Sequence, residues 1–323
     1  MFSTRRVTGF VLLAVLGLAV LSCRKPVPAL EELPYPLLSG KLAFVRSSTS
    51  DLSRQYLVAV DADKKSGVVF GPVGATWGNV AISPDGRYIA FARFTERRHN
   101  FYQLHIVDFD GSHLKQLVDT GGFSRYPTWA PDGKRLYFSL SDPTQRLCSM
   151  NPDGSGLTEE HIPGFESNLG SFSFSPDRQR IVFAAIESAW AGIAVANLDG
   201  AGYRHLTTND SGCCDLSPAW SPDGSRIVFV RQLRNTNGAV PFWWSLMTVE
   251  PDNGNVRNIL DYSGATAPNE VMPAWSPEGD RIAFNYTPDS GFVSHVFLID
   301  PDGANRQQVT SGDYYDGPPS WVK

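Results

Sequence analysis

Trp220-Ser221-Pro222-Asp223-Gly224-Ser225-Arg226-Ile227-Val228-Phe229 is the stretch on which the fold turns. A large aromatic residue ends one extended run. Pro222 presets φ at about −65° for the second turn position, and Asp223 tolerates the third. Gly224 reaches the left-handed conformation that sends the chain back. Ile227-Val228-Phe229 then supplies β-rich residues for a returning strand. The stretch therefore encodes one β-hairpin.

Four near copies surround it. They are Ile82-Ser83-Pro84-Asp85-Gly86, Trp129-Ala130-Pro131-Asp132-Gly133, Phe174-Ser175-Pro176-Asp177-Arg178 and Trp275-Ser276-Pro277-Glu278-Gly279. Each runs on into apolar residues that end at Phe91, Phe138, Phe183 and Phe284. The turn acids stand at 85, 132, 177, 223 and 278, so the period is 45 to 55 residues. A second echo lies about twenty residues after each: Asp108-Phe109-Asp110-Gly111, Asn151-Pro152-Asp153-Gly154, Asn197-Leu198-Asp199-Gly200, Glu250-Pro251-Asp252-Asn253-Gly254 and Asp300-Pro301-Asp302-Gly303. Each follows an apolar run, so it reads as the turn between third and fourth strands. Four antiparallel strands at this period make one propeller blade.

A sixth blade is split between the ends of the chain. Lys41-Leu42-Ala43-Phe44-Val45 copies a second strand and Tyr56-Leu57-Val58-Ala59-Val60 a third. The missing first strand reads as Pro319-Ser320-Trp321-Val322. The expectation is an all-β, six-bladed β-propeller over residues 40–323, with the C-terminal strand joining the N-terminal blade and closing the ring. Closure leaves no open sheet edge.

These repeats resemble the WD-like repeats of the TolB-like β-propeller family, over residues 40–323. Ile82 replaces the usual aromatic residue in one copy, and Arg178 stands where Gly is expected. TolB itself carries an additional α/β domain before its propeller, for which this chain has no room. The resemblance therefore implies the fold and does not carry over a role in the Tol-Pal system.

Residues 1–22 read as a lipoprotein signal peptide. Arg5 and Arg6 precede an apolar run from Val7 to Leu21, shorter than the roughly 20 residues a spanning helix needs. Val20-Leu21-Ser22-Cys23 resembles the bacterial lipobox, which makes Cys23 the lipid anchor. Residues 23–39, with Pro26, Pro28, Pro34 and Pro36, read as a Pro-rich tether. The implied location is extracytoplasmic, anchored by lipid to a bacterial membrane on its periplasmic side or at the cell surface.

The formal charge is −5, and without Arg5 and Arg6 there are 26 basic against 33 acidic residues. That sign, with no basic stripe, excludes nucleic acid as the expected partner. Histidines 99, 105, 113, 161, 205 and 295 show no short metal-ligand spacing. The Asp-x-Asp-Gly runs lack the spaced oxygens of a calcium loop and read as turns. No Gly-x-Ser-x-Gly elbow is present. No catalytic residue, metal or cofactor is expected.

Strand order places the uniform Pro-Asp-Gly turns on one face and the variable connections on the other, where binding loops are expected. Between blades these loops hold Trp77, Arg125, Tyr126, Glu166, Cys213, Cys214, Asp215, Glu270, Tyr314, Tyr315 and Asp316. Between second and third strands they hold Arg97, Arg98, His99, Trp190, Trp243 and Trp244. Tyr, Trp and Arg in such density mark a binding face. Cys213 and Cys214 are either two thiols or a vicinal disulfide, and Cys148 reads as a small buried residue. The expected function is a monomeric, membrane-anchored, non-catalytic scaffold that binds an envelope protein, peptide or glycan. The alternative is a metal-assisted polysaccharide lyase or hydrolase working in the central opening.

Overall fold

The computed structural model describes residues 38–49, 51–71, 73, 76–95, 101–118, 121–142, 144–162, 169–187, 190–208, 213–233, 243–262, 271–288 and 293–323. Cys23 and the signal and tether up to residue 37 lie outside them. Every regular element among the described residues is a β-strand. The strands form six blades of four antiparallel strands around one axis. A single parallel bridge, Ala191 to Cys214, links blades 4 and 5 into one continuous sheet.

Each Pro-Asp-Gly hairpin is closed by a backbone bond from its fourth residue to its first. Gly224 N–H donates to Ser221 O at 2.9 Å, and Gly86 to Ser83 at 2.8 Å. The turn Asp adds a second layer: Asp223 Oδ1 accepts from Ser221 Oγ at 2.6 Å and from the N–H of Ser225 at 3.0 Å. Arg178 takes the glycine conformation with φ 61°. Its guanidinium bonds Asp132 of the preceding turn at 3.0 Å. An exposed pair of this kind offsets only part of the left-handed strain.

The core lies between blades. Phe44, Phe91, Phe138, Phe183, Phe229 and Phe284, one from each second strand, are all 3% exposed or less. Their blade-to-blade repetition makes the ring of packed sheets in which every blade buries both faces. Glycine permits the close approach of neighbouring blades. At Gly303 (φ 92°) a Cβ would stand 2.6 Å from Ile259 O on the outer strand of blade 5.

Closure uses more of the C-terminus than the repeats suggested. The first strand of blade 1 has two parts, Tyr314–Asp316 and Ser320–Val322, both paired with Lys41–Ser48. Trp321 Nε1 donates to Ser39 O at 2.6 Å, fastening the two chain ends.

Strand boundaries correct the expected loops. Trp77 lies in Thr76–Ile82, Arg125 and Tyr126 in Phe123–Trp129, and Cys213, Cys214 and Asp215 in Cys213–Trp220. Trp190 opens Trp190–Asn197, while Trp243 and Trp244 open Trp243–Val249. All but Tyr126, the middle residue of its strand, lie toward the outer ends of strands. The repeats marked only the half of each first strand nearest the Pro-Asp-Gly turn, because sequence similarity fades toward the variable end.

Candidate functional site

The first strands of blades 2 to 5 each carry a register shift, at Trp77/Val80, Arg125/Thr128, Leu169/Phe172 and Leu216/Ala219. A bulge bends its strand and re-aims side chains. Tyr126 and Ser217 take φ of 54° and 56° at this point. Asn79, Tyr126, Ser171 and Ser217 therefore line the axis.

From there to the Pro-Asp-Gly turns runs a cavity of about 460 Å³, walled by all six first strands. Trp129, Trp220, Trp275 and Trp321 form most of its aromatic ring, and the turn prolines Pro84, Pro131, Pro176, Pro222 and Pro277 form its mouth. Lys323 is the single charged residue of the described wall. Hydroxyls knit the blades: Ile82 N–H donates to Ser320 Oγ at 3.1 Å and Trp220 N–H to Ser173 Oγ at 3.3 Å. The indole N–H groups of Trp129 and Trp275 donate to Ala81 O and Ala219 O, both at 3.0 Å. Trp220 Nε1 and Asn79 Oδ1 are buried without a partner among the described residues.

Beside the mouth, Asp177 and Asp223 sit well below the ordinary carboxylate pKa. The hydroxyls of Ser175 and Ser221 are the largest cause, followed by the N–H groups of Gln179 and Ser225. These carboxylates are committed to their turns and offer no general acid near neutral pH.

The variable end differs from its sequence reading in one respect. Several of its candidates are buried. Asp215 and Asp316 are fully buried, Trp244 is 2% exposed and Cys213 is 6% exposed. Asp316 accepts two bonds from Arg46, at 2.6 and 2.8 Å, and a third from Thr310 Oγ1 at 2.5 Å. Asp215 accepts two from Arg231, both 2.8 Å. His295 Nδ1 lies 3.9 Å from Asp316 Oδ2. These groups brace strand ends. Arg125 lies over the Phe123 ring at 4.6 Å, and Arg46 packs over Tyr314 at 5.1 Å. Tyr126, Cys214, Tyr314 and Tyr315 are partly exposed. Arg97, Arg98, His99, Glu166 and Glu270 fall outside the described residues, as do the side-chain positions of Trp77, Trp190 and Trp243.

Cys148, Cys213 and Cys214 are free thiols. Neighbours in a strand point to opposite faces, so Cys213 is buried while Cys214 is half-buried. Burial pushes the Cys148 thiol up to about 11. Among the described residues no three His, Cys, Asp or Glu side chains converge in a way that could hold a metal ion.

The sequence reading named the central opening only for the alternative function, and of the described candidate residues only Tyr126 lines it. Its signals were present: an aromatic residue before four of the five turns, and prolines two places before the tryptophans at Pro127, Pro218, Pro273 and Pro319. Only closure of the ring brings them to one wall.

No protein-family model matches the chain. An uncharacterized protein of Agrobacterium fabrum is 29% identical over 214 residues, which cover 63% of this chain and 67% of that one. The Tol-Pal system protein TolB of Francisella tularensis subsp. mediasiatica is 26% identical over 235 residues. That match covers 72% of this chain, and the chain spans about half the length of this TolB. Among solved structures, TolB from Acinetobacter baumannii superposes with a TM-score of 0.70 at 17% identity, covering 88% of this chain and 66% of that one. By repeat, fold and relatives together, the chain is a TolB-like six-bladed β-propeller.

Proposed function

We propose that the chain is an extracytoplasmic scaffold, held to a bacterial membrane through lipid on Cys23, that binds an envelope protein through the axis cavity of its propeller. The observation that carries this reading is the cavity wall. Aromatic and proline rings supply apolar contact, and Thr128, Ser171 and Ser217 add hydroxyl-bearing side chains to the lining. A polypeptide segment, with apolar side chains and hydrogen-bonding amides, matches a lining of this mixed kind. The curated TolB relatives, described as Tol-Pal system proteins, support an envelope protein as the partner over a glycan.

The test is a photo-crosslinking residue introduced in living cells at Lys323, which is exposed and lines the cavity. A control position is Val256, 37% exposed on the outer strand of blade 5. A discrete adduct from position 323, absent from 256 and lost when Ser171→Trp fills the cavity, is the expected result. Equal labelling from both positions, or persistence in the filled variant, overturns the reading. Cys23→Ala should release the chain from the membrane fraction, and continued membrane retention would remove the lipid anchor from the proposal.

A further inference from the structure

The wall of the axis cavity repeats in levels from blade to blade. One place before the residue that enters each turn, hydroxyls are spent on the fold. Ser173 Oγ accepts from Trp220 N–H at 3.3 Å, and Ser320 Oγ from Ile82 N–H at 3.1 Å. Three places before it stand Asn79, Tyr126, Ser171, Ser217 and Met272, one from each of blades 2 to 6, at the inner end of the cavity. Asn79 Nδ2 donates to Pro127 O at 3.4 Å. The hydroxyls of Ser171 and Ser217 make no hydrogen bond among the described residues. Both residues are partly exposed, and both open onto the cavity. Three consecutive blades thus carry an arc of hydroxyl-bearing side chains, Tyr126, Ser171 and Ser217.

Backbone strain gathers at the same level. Among the described residues, Lys65, His113, Arg178 and Asn305 take positive φ in exposed connections, where tight turns use that conformation. The other side-chain-bearing residues with positive φ are Tyr126 and Ser217, at 54° and 56°, and they lie inside strands. Each precedes a proline, Pro127 or Pro218, a place that favours extended backbone. Blade 4 makes its register shift with positive φ at neither Gly170 nor Ser171, so bending the strand does not require the strain. Strain that the fold can do without is retained where it aims a side chain that functions.

We propose that Tyr126, Ser171 and Ser217 form a subsite that binds the side-chain amide of an Asn or Gln on the polypeptide entering the cavity. The subsite rests on the axis-cavity reading above and names the chemistry at its inner end. The charge of the wall selects the amide. Among the described residues the wall's single charged side chain is Lys323, which follows Val322 at the turn end of the ladder with Lys41. An ion driven to the inner end would lose its water with no counter-charge to meet it. An amide is neutral and carries both donors and an acceptor, and a hydroxyl can answer either. An apolar side chain would leave the Ser171 and Ser217 hydroxyls cut off from water without a partner.

The experiment follows the indole ¹H–¹⁵N signal of Trp220 in the full chain, assigned by its loss in Trp220→Phe. The probes are N-acetyl-Gly-Gln-Gly-amide and its Glu and Met counterparts, which match it in length. The expected result is a saturable shift with the Gln peptide, and binding about tenfold weaker for the other two, as one unsatisfied buried hydrogen bond implies. Ser171→Ala, Ser217→Ala and Tyr126→Phe each remove one hydroxyl, and each should weaken the Gln peptide by about the same factor. Ser175→Ala is the control. Its hydroxyl is buried on Asp177 at 2.5 Å outside the cavity, so it should lower the urea midpoint and leave the Gln response unchanged. Ser217→Gly removes the same hydroxyl as Ser217→Ala and relieves φ, so it should bind as weakly and unfold at higher urea. No response to the Gln peptide overturns the proposal, as does equal or tighter binding of the Glu or Met peptide. So does wild-type affinity in any of the three hydroxyl variants, or a Ser217→Gly chain no more stable than Ser217→Ala. A discrete adduct at position 323 without a Gln preference defeats the amide subsite alone, whereas absence of that adduct defeats the cavity as the binding site.

Discussion

Replacing Asp316 by Ala should open the ring at its closing blade. The carboxylate is fully buried and accepts bonds from Arg46 Nε at 2.6 Å, Arg46 Nη2 at 2.8 Å and Thr310 Oγ1 at 2.5 Å. Arg46 is itself only 6% exposed, so truncation strands a guanidinium in the interior. Breaking a buried pair from one side costs about 3–5 kcal/mol. A domain of this size shifts by about 2–4 °C per kcal/mol, so Tm should fall by roughly 6–20 °C. The internal control is Asp252→Ala. Asp252 is 81% exposed where it meets Arg180, and exposed pairs contribute about 0–1 kcal/mol. Thermal and urea unfolding followed by tryptophan fluorescence measures both variants. Trp321 reports the closure directly, because its indole bonds Ser39 across the chain ends. The pair Arg46→Met with Asp316→Leu should recover most of the loss, since replacing both charges removes the stranded ion. A cost for Asp316→Ala no larger than that of Asp252→Ala would refute the reasoning. So would a double variant as unstable as the single one.

Two further outcomes follow from packing. Gly254→Ala and Gly303→Ala both impose left-handed strain, at φ 72° and 92°, worth about 1–2 kcal/mol. Only the second also drives a Cβ to 2.6 Å from a backbone carbonyl, against 3.6 Å at Gly254, so urea denaturation should show it as the more damaging change. Alkylation of the folded chain at pH 8, read by mass spectrometry, should mark Cys214 first. Cys148 should stay unlabelled until the protein is unfolded, because its thiol is buried and raised to about 11.

The propeller was legible in the sequence because each blade repeats the same local chemistry. Trp220-Ser221-Pro222-Asp223-Gly224 names its turn through φ preferences that act within five residues, and no distant contact is needed to read them. The ring phenylalanines followed from the same register, as did the split blade. Arg178 was recognisable as an exception, though not its ion pair with Asp132, which joins two turns 46 residues apart.

The roles of individual polar residues were decided by tertiary structure. Asp215 and Asp316 read as exposed acids of a binding face, and pairing with Arg231 and Arg46 buries them. The axis cavity exists only because six first strands, spread from residue 79 to residue 323, are brought to one wall. Turn chemistry is local and periodic, so the sequence alone determines the blades. Charge pairing and cavity lining depend on residues far apart in the chain, so only the closed ring determines which groups are spent on the fold and which remain free to bind.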